Sequence, residues 1–93
     1  MPVVFHIPGY LRQWTGGAAR VELEGRPATV GEALALLWEH HPGVRDRIVT
    51  EQGEVRQHIN VFAGVESIRF TGGLATPLAA DSEVSIVPAV SGG

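Results

Sequence analysis

One stretch of the 93-residue chain, TVGEALALLWEHHPG at residues 29–43, carries a long helical period. Val30, Leu34, Leu37, Trp38 and His41 fall at i, i+4, i+7, i+8 and i+11, which draws one apolar stripe along a helix. Thr29 and Glu32 form a T-x-x-E capping box at its start. Pro42 and Gly43 are predicted to stop it, because proline lacks an N–H and glycine favours the helix terminus. His40 and His41 lie in the last turn, where a cation is mildly favoured. A single amphipathic helix must bury its stripe against something, and the segments around it alternate with the period of strands. The expectation is therefore an α+β domain, one mixed sheet with the helix across one face.

In PVVFHI, residues 2–7, Val3, Phe5 and Ile7 alternate with Val4 and His6. ARVELE, residues 19–24, alternates again with Val21 and Leu23 inward. The PGYLRQWTGG between them reads as a connection broken by Pro8, Gly9, Gly16 and Gly17, so the two runs form a hairpin. After the helix, VRDRIVTEQGE is a polar connection with a short helical turn that sets Val44 and Ile48 against the core. RQHINVFA, residues 56–63, is the strongest strand, with Ile59, Val61 and Ala63 opposed to His58, Asn60 and Phe62. Gly64-Val65-Glu66 turns into a short strand around Ser67 to Phe70, and TGGLATPLAADSE is a loop. EVSIVP, residues 83–88, is the last strand, with Val84 and Ile86 inward. The order β-β-α-β-β-β, with first and last strands paired in the middle, is that of the ubiquitin-like β-grasp. Residues 1–88 then make the domain and residues 89–93 a C-terminal tail.

Composition narrows the function. At 44% hydrophobic and 18% charged the chain is globular. No apolar run approaches the ~20 residues of a membrane helix, and the N-terminus has neither the basic nor the long apolar region of a signal peptide. The expected location is the cytoplasm, with no membrane partner. The net charge of −3 argues against a nucleic-acid partner. With no cysteine there is no disulfide, thiolate metal site or cysteine nucleophile. All seven basic residues are arginines, so no lysine can accept an isopeptide bond.

Four histidines invite a metal reading, but His40 and His41 point about 100° apart on a helix. No other residues complete a ligand set at a recognised spacing, so no metal is expected. Glu22 and Glu24 share a strand face without a cleft to tune them. The two TGG triplets, at 15–17 and 71–73, lack the spacing of a phosphate-binding loop. Trp38 belongs to the helix stripe, and Trp14 covers a core edge. The tail AVSGG is different in kind. Five extended residues span at most ~17 Å, enough to carry a terminal carboxylate into another protein's active site. Two glycines let the backbone thread a narrow channel. A frayed end is the plain alternative.

At these residues the sequence resembles the MoaD/ThiS family of ubiquitin-like sulfur carriers. The resemblance covers almost the whole chain, through IPGYLRQWTGG, HINVFAGVESIRFTGGLATPL and SIVPAVSGG. Within the family it is most similar to the carrier that serves cysteine biosynthesis. One departure is the Gly64-Val65-Glu66 turn, where many members have Asn-Gly or Asn-Asp. The resemblance implies that the Gly93 carboxylate is adenylated by an E1-like adenylyltransferase/sulfurtransferase, becomes a thiocarboxylate and donates its sulfur. Gly92, with Ser91 and Val90 behind it, would be threaded through the partner. The acceptor would be a pyridoxal-phosphate cysteine synthase. ATP and pyridoxal phosphate would belong to those enzymes, and this chain would be their protein co-substrate rather than an enzyme. The rival readings are the small subunit paired with the molybdopterin synthase large subunit, a modifier joined to target lysines, and an interaction module with an inert tail.

Strand parity adds a docking surface. The open sheet face would show Val4, His6, His58, Asn60, Phe62 and Val87. Phe62 is either an exposed interface anchor or tucked under the tail or a loop.

Overall fold

A computed structural model describes residues 2–88. Met1 and residues 89–93 lie outside the described residues, and with them the expected tail. Five strands, β1 (Val3–His6), β2 (Arg20–Leu23), β3 (Ile59–Ala63), β4 (Glu66–Ser67) and β5 (Val84–Pro88), form one mixed sheet in the order β2-β1-β5-β3-β4. β1 and β2 are an antiparallel hairpin, and β1 runs parallel to β5 in the middle. Two helices, α1 (Val30–His40) and α2 (Pro42–Ile48), connect the hairpin to β3. This is the ubiquitin-like β-grasp expected from the element order.

The strand periods build the core. Phe5, Ile7, Val21, Leu23, Ile59, Val61, Val84 and Ile86 are all buried and pack in one cluster with Val30, Ala33, Leu34 and Leu37 of α1. Val44 and Ile48 join them from α2, as the sequence predicts. Each such large side chain removed from water contributes about 1.5–3 kcal/mol. A one-residue slip of any strand would turn its apolar set outward, so burial fixes the register as well as the pairing.

Several local details differ from the sequence reading. Thr29 Oγ1 does accept from the Glu32 N–H at 3.2 Å, but the Glu32 carboxylate reaches back to the Ala28 N–H rather than that of Thr29. Pro42 does not end the helical region. His41 leaves α1 with φ −137°, and Pro42 then takes the first position of α2, where its missing N–H has no helical partner to lose. The apolar stripe of α1 therefore ends at half-buried Trp38, and His41 belongs to the joint.

The connection after β1 contains a 3₁₀ helix, Gly9–Trp14, which buries Leu11. Thr15 closes it: its buried hydroxyl donates to the carbonyls of Arg12 and Ala18, and Gly16 and Gly17 turn the chain with φ of 66° and 87°. The first TGG is thus a structural turn. The strand placed around Ser67 to Phe70 stops after Ser67. A 3₁₀ turn, Ile68–Phe70, follows and carries Ile68 into the core. A further one, Gly73–Ala75, interrupts the loop before β5. Finally, β3 begins at Ile59 and not at residue 56. Arg56 N–H donates to Ile48 O, and Ile59 N–H returns to Arg56 O, which folds residues 56–58 into a turn.

Candidate functional site

Pro88, the last described residue, ends the central region of the sheet, and the physical reason a proline is tolerated there lies in the ladder. Gly64 N–H donates to Glu83 O at 2.8 Å. In an antiparallel pair the bonded positions alternate. Even-numbered residues of β3 therefore bond β5, and odd-numbered ones turn their N–H and C=O away from it. Pro88 stands opposite Ile59, an odd position, so its missing N–H removes no ladder bond. On its other side β1 pairs with β5 only as far as Ser85. Pro88 thus stands beside the first residue of β3 and beyond the last paired residue of β1.

The outward-turned carbonyls of β3 need a partner, because β4 covers only Phe62 and Ala63. Arg69 supplies it. One guanidinium nitrogen, Nη2, donates to Gln57 O at 2.8 Å and to Ile59 O at 2.9 Å. Arg69 thereby holds the strand that flanks Pro88. Sequence reasoning missed it, and no local pattern signals it, since its partners are backbone carbonyls ten and twelve residues away.

The open sheet face gathers most of the predicted docking residues. Arg20, His6, Ser85, Phe62 and Ser67 lie in one cross-strand row, and Val87 faces Asn60 in the next. His6 Nε2 and the Glu83 carboxylate form a hydrogen bond across the face. That bond, aided by the nearby charges of His6 and Arg20, holds the Glu83 carboxyl below its ordinary range. Val4 shares this face and is only 8% exposed, although it lies outside the core cluster. Phe62 is half-buried, between the two readings of it. His58 is corrected: it is exposed in the turn ahead of β3, and strand parity does not place it, because Ile59 N–H closes that turn onto Arg56. The fully displayed apolar side chains lie elsewhere, Val65 at 93% and Phe70 at 88%, and alternation had not picked them out. Val90, Ser91, Gly92 and Gly93 lie outside the described residues.

Among the described residues no three His, Asp or Glu side chains gather as a metal ion needs. His40 Nδ1 lies 3.1 Å from Leu36 O in its own helix. Glu22 pairs with Arg20 at 3.0 Å, and Glu24 lies beyond the end of β2. Trp14 covers the helix joint, with the Arg47 guanidinium 4.3 Å above its ring. Among the described residues, one groove of about 330 Å³ lies beside Val3 and Arg26 and another of about 400 Å³ beside Val61 and Arg69. None of the open-face residues lines either groove. Among the described residues no helix is long and apolar enough to cross a membrane.

A five-stranded sheet with β1 and β5 central and a helix across one face defines a ubiquitin-like β-grasp protein. The ThiS family model matches residues 5–93, and the chain belongs to this family of sulfur carriers. The sulfur carrier protein CysO of Mycobacterium tuberculosis is 36% identical over 95 residues, covering 100% of each chain. Small archaeal modifier protein 1 of Haloferax volcanii is 39% identical over 74 residues, 80% of this chain and 79% of that one. Among solved structures, a chain of the Amycolatopsis orientalis BexX/CysO complex superposes with a TM-score of 0.85 at 37% identity, covering 98% of this chain and 99% of that chain.

Proposed function

We propose that this protein carries sulfur as a thiocarboxylate on Gly93 and delivers it for cysteine biosynthesis. The observation that carries the reading is the continuity of the ThiS family match through β5 and Pro88 to Gly93. The full-length similarity to CysO supports the cysteine branch. Five residues follow Pro88, ending in Gly92-Gly93, and their extended length of at most ~17 Å spans the entry to an enzyme's active site.

The chemistry follows from the weakness of a carboxylate as an acyl donor. One Gly93 oxygen attacks the α-phosphorus of ATP, pyrophosphate leaves, and an acyl-adenylate forms in the E1-like partner. Sulfide supplied by that partner attacks the acyl carbon and AMP leaves, so the terminus becomes a thiocarboxylate. Its sulfur is nucleophilic at neutral pH and stays tethered, ready for an electrophile held on pyridoxal phosphate in a cysteine synthase. Both cofactors belong to the partners. Val90, Ser91 and Gly92 thread the channel, and the open face with Phe62, His6 and Val87, together with His58 at its edge, docks outside it. That a similar chain occurs in the BexX/CysO complex supports a protein partner of this kind.

Incubation with ATP, an E1-like enzyme and a sulfide donor tests the reading by intact mass. One oxygen exchanged for sulfur at Gly93 is expected, and one residue appended after Gly93 should abolish it without altering the fold. An unchanged mass with an enzyme competent on another carrier overturns it. The similarity to small archaeal modifier protein 1 favours a second reading, conjugation to target lysines. Adducts on lysine-containing proteins in the same incubation, without thiocarboxylate, would select it.

A further inference from the structure

Two apolar features that the carrier chemistry does not use share one short turn. The 3₁₀ turn Ile68–Phe70 carries Ile68 into the core and leaves Phe70 88% exposed. The groove of about 400 Å³ begins on the same turn. Buried Val61 and Ile68 form its floor, half-buried Val55 and Leu74 its walls, and Glu54 and Arg69 are exposed at its rim. A cavity of ~150 Å³ already takes a benzene ring, so the groove has room for a phenylalanine side chain. Phe70 does not line it, and at 88% exposure it does not fill it. An aromatic knob and an apolar hole thus stand side by side, separated by Arg69, one chain step of ~3.8 Å from Phe70.

From this juxtaposition we propose that the groove receives Phe70 of a second copy of this chain, in a twofold dimer that buries both rings. A twofold interface sets one patch against itself, so that residue i of one copy meets residue j of the other while j meets i. A knob beside its own hole meets that condition with a single axis passing between them. Any other partner would have to supply both a ring for the hole and a hole for the ring. The rim charges agree with the pairing. Arg69 precedes Phe70, so a seated ring brings Arg69 to the other copy's rim, where Glu54 stands. Among the described residues neither Arg69 nor Glu54 has an ion pair within its own chain. The area sets the strength. A phenylalanine buries about 150–250 Å², and the groove that receives it loses a like amount, so two such seats remove about 600–1,000 Å² in all. That lies below the roughly 1,200–2,000 Å² of a stable complex, so the dimer is weak and reversible. It is independent of the carrier reading, because none of the open-face residues lines the groove.

Sedimentation equilibrium of the full chain from about 10 µM to about 1 mM covers the range expected of so small an interface. The parent should pass from monomer to dimer with no larger species, because a closed twofold leaves no free knob or hole. Phe70→Ser should weaken the dimer by about tenfold or more. Val65→Ser removes a side chain that is 93% exposed and does not line the groove, and it should leave the equilibrium unchanged. Both positions are exposed, so circular dichroism of both variants should stay native. A parent monomeric throughout, equal weakening by Val65→Ser, or species that grow past the dimer overturns the proposal. Isotope-filtered nuclear Overhauser spectra on a mixture of labelled and unlabelled chains identify the occupant. Contacts between the Phe70 ring of one copy and the Val55 and Leu74 methyls of the other are expected. Contacts of those methyls with Val90 of their own chain, or with the E1-like enzyme alone, overturn it.

Discussion

Arg69 offers a direct measure of how firmly the start of β3, beside Pro88, is held. Replacing it with methionine keeps most of the aliphatic stem and removes both hydrogen bonds, one to Gln57 in the turn ahead of β3 and one to Ile59 at its start. The bond to Gln57 O is exposed, so water replaces it at little cost. The bond to Ile59 O is partly buried, and its carbonyl points away from β5 with no strand beside it. A hydrogen bond from a charged donor contributes about 1.5–3 kcal/mol, and partial exposure places this one near the lower bound. Arg69→Met should therefore lower stability by about 1.5–2 kcal/mol. In a domain of this size that corresponds to a fall in Tm of roughly 6–16 °C. Urea unfolding followed by tryptophan fluorescence gives the free energy, and amide hydrogen exchange locates it. Faster exchange concentrated at residues 57–61 is the signature of a released strand end. If Arg69→Met unfolds at the same urea concentration as the parent, water satisfies the Ile59 carbonyl equally well and the latch does not exist.

Other outcomes follow from the same coordinates. Gly43→Val should displace Trp14, because a Cβ at residue 43 falls 2.9 Å from Trp14 Cδ1; a loss of about 1–3 kcal/mol with a shifted tryptophan emission would show it. Phe62→Asp should weaken association with the E1-like enzyme while circular dichroism stays native; global unfolding would instead put Phe62 in the core. Glu83 has a lowered pKa, so its contribution to stability is present above the ordinary carboxylate range and lost as pH falls through the folded value. Glu83→Gln should accordingly be less stable than the parent at neutral pH and converge with it in acid, measured by urea titration across pH. Arg12→Lys would put the first side-chain amine near the arm root. With ATP and the E1-like enzyme, attack of that amine on the acyl-adenylate, with AMP leaving, should yield an internally joined chain one water lighter by intact mass; a lysine out of the terminus's reach would leave the mass unchanged.

Much of the fold was legible in the sequence because it depends on periodicity. Period two in residues 2–7, 19–24, 56–63 and 83–88 found four strands, and the stripe with Thr29 before it found α1. What periodicity could not show was how a segment ends when two rules compete. Pro42 obeys both the rule that stops a helix and the rule that begins one, and only the packing of Val44 and Ile48 decides that it begins α2. Ile68 fits the alternation of a strand, yet reaching the core required the chain to coil after Ser67. His58 has strand parity on paper and lies in a turn because Arg56 and Ile59 bond each other.

The site divides in the same way. The Gly92-Gly93 terminus, the absence of cysteine and lysine, and the match of the family through residue 93 are properties of sequence, since they concern which atoms exist. Tertiary structure alone decided how the strand ahead of them ends, at Pro88, and what stands beside it. The ladder phase that tolerates Pro88 and the guanidinium that holds the carbonyls of Gln57 and Ile59 both join residues far apart in the chain. Local pattern records what a residue prefers from its neighbours in sequence. Hydrogen-bond partners and fields depend on neighbours in space, which come into being only when the sheet closes.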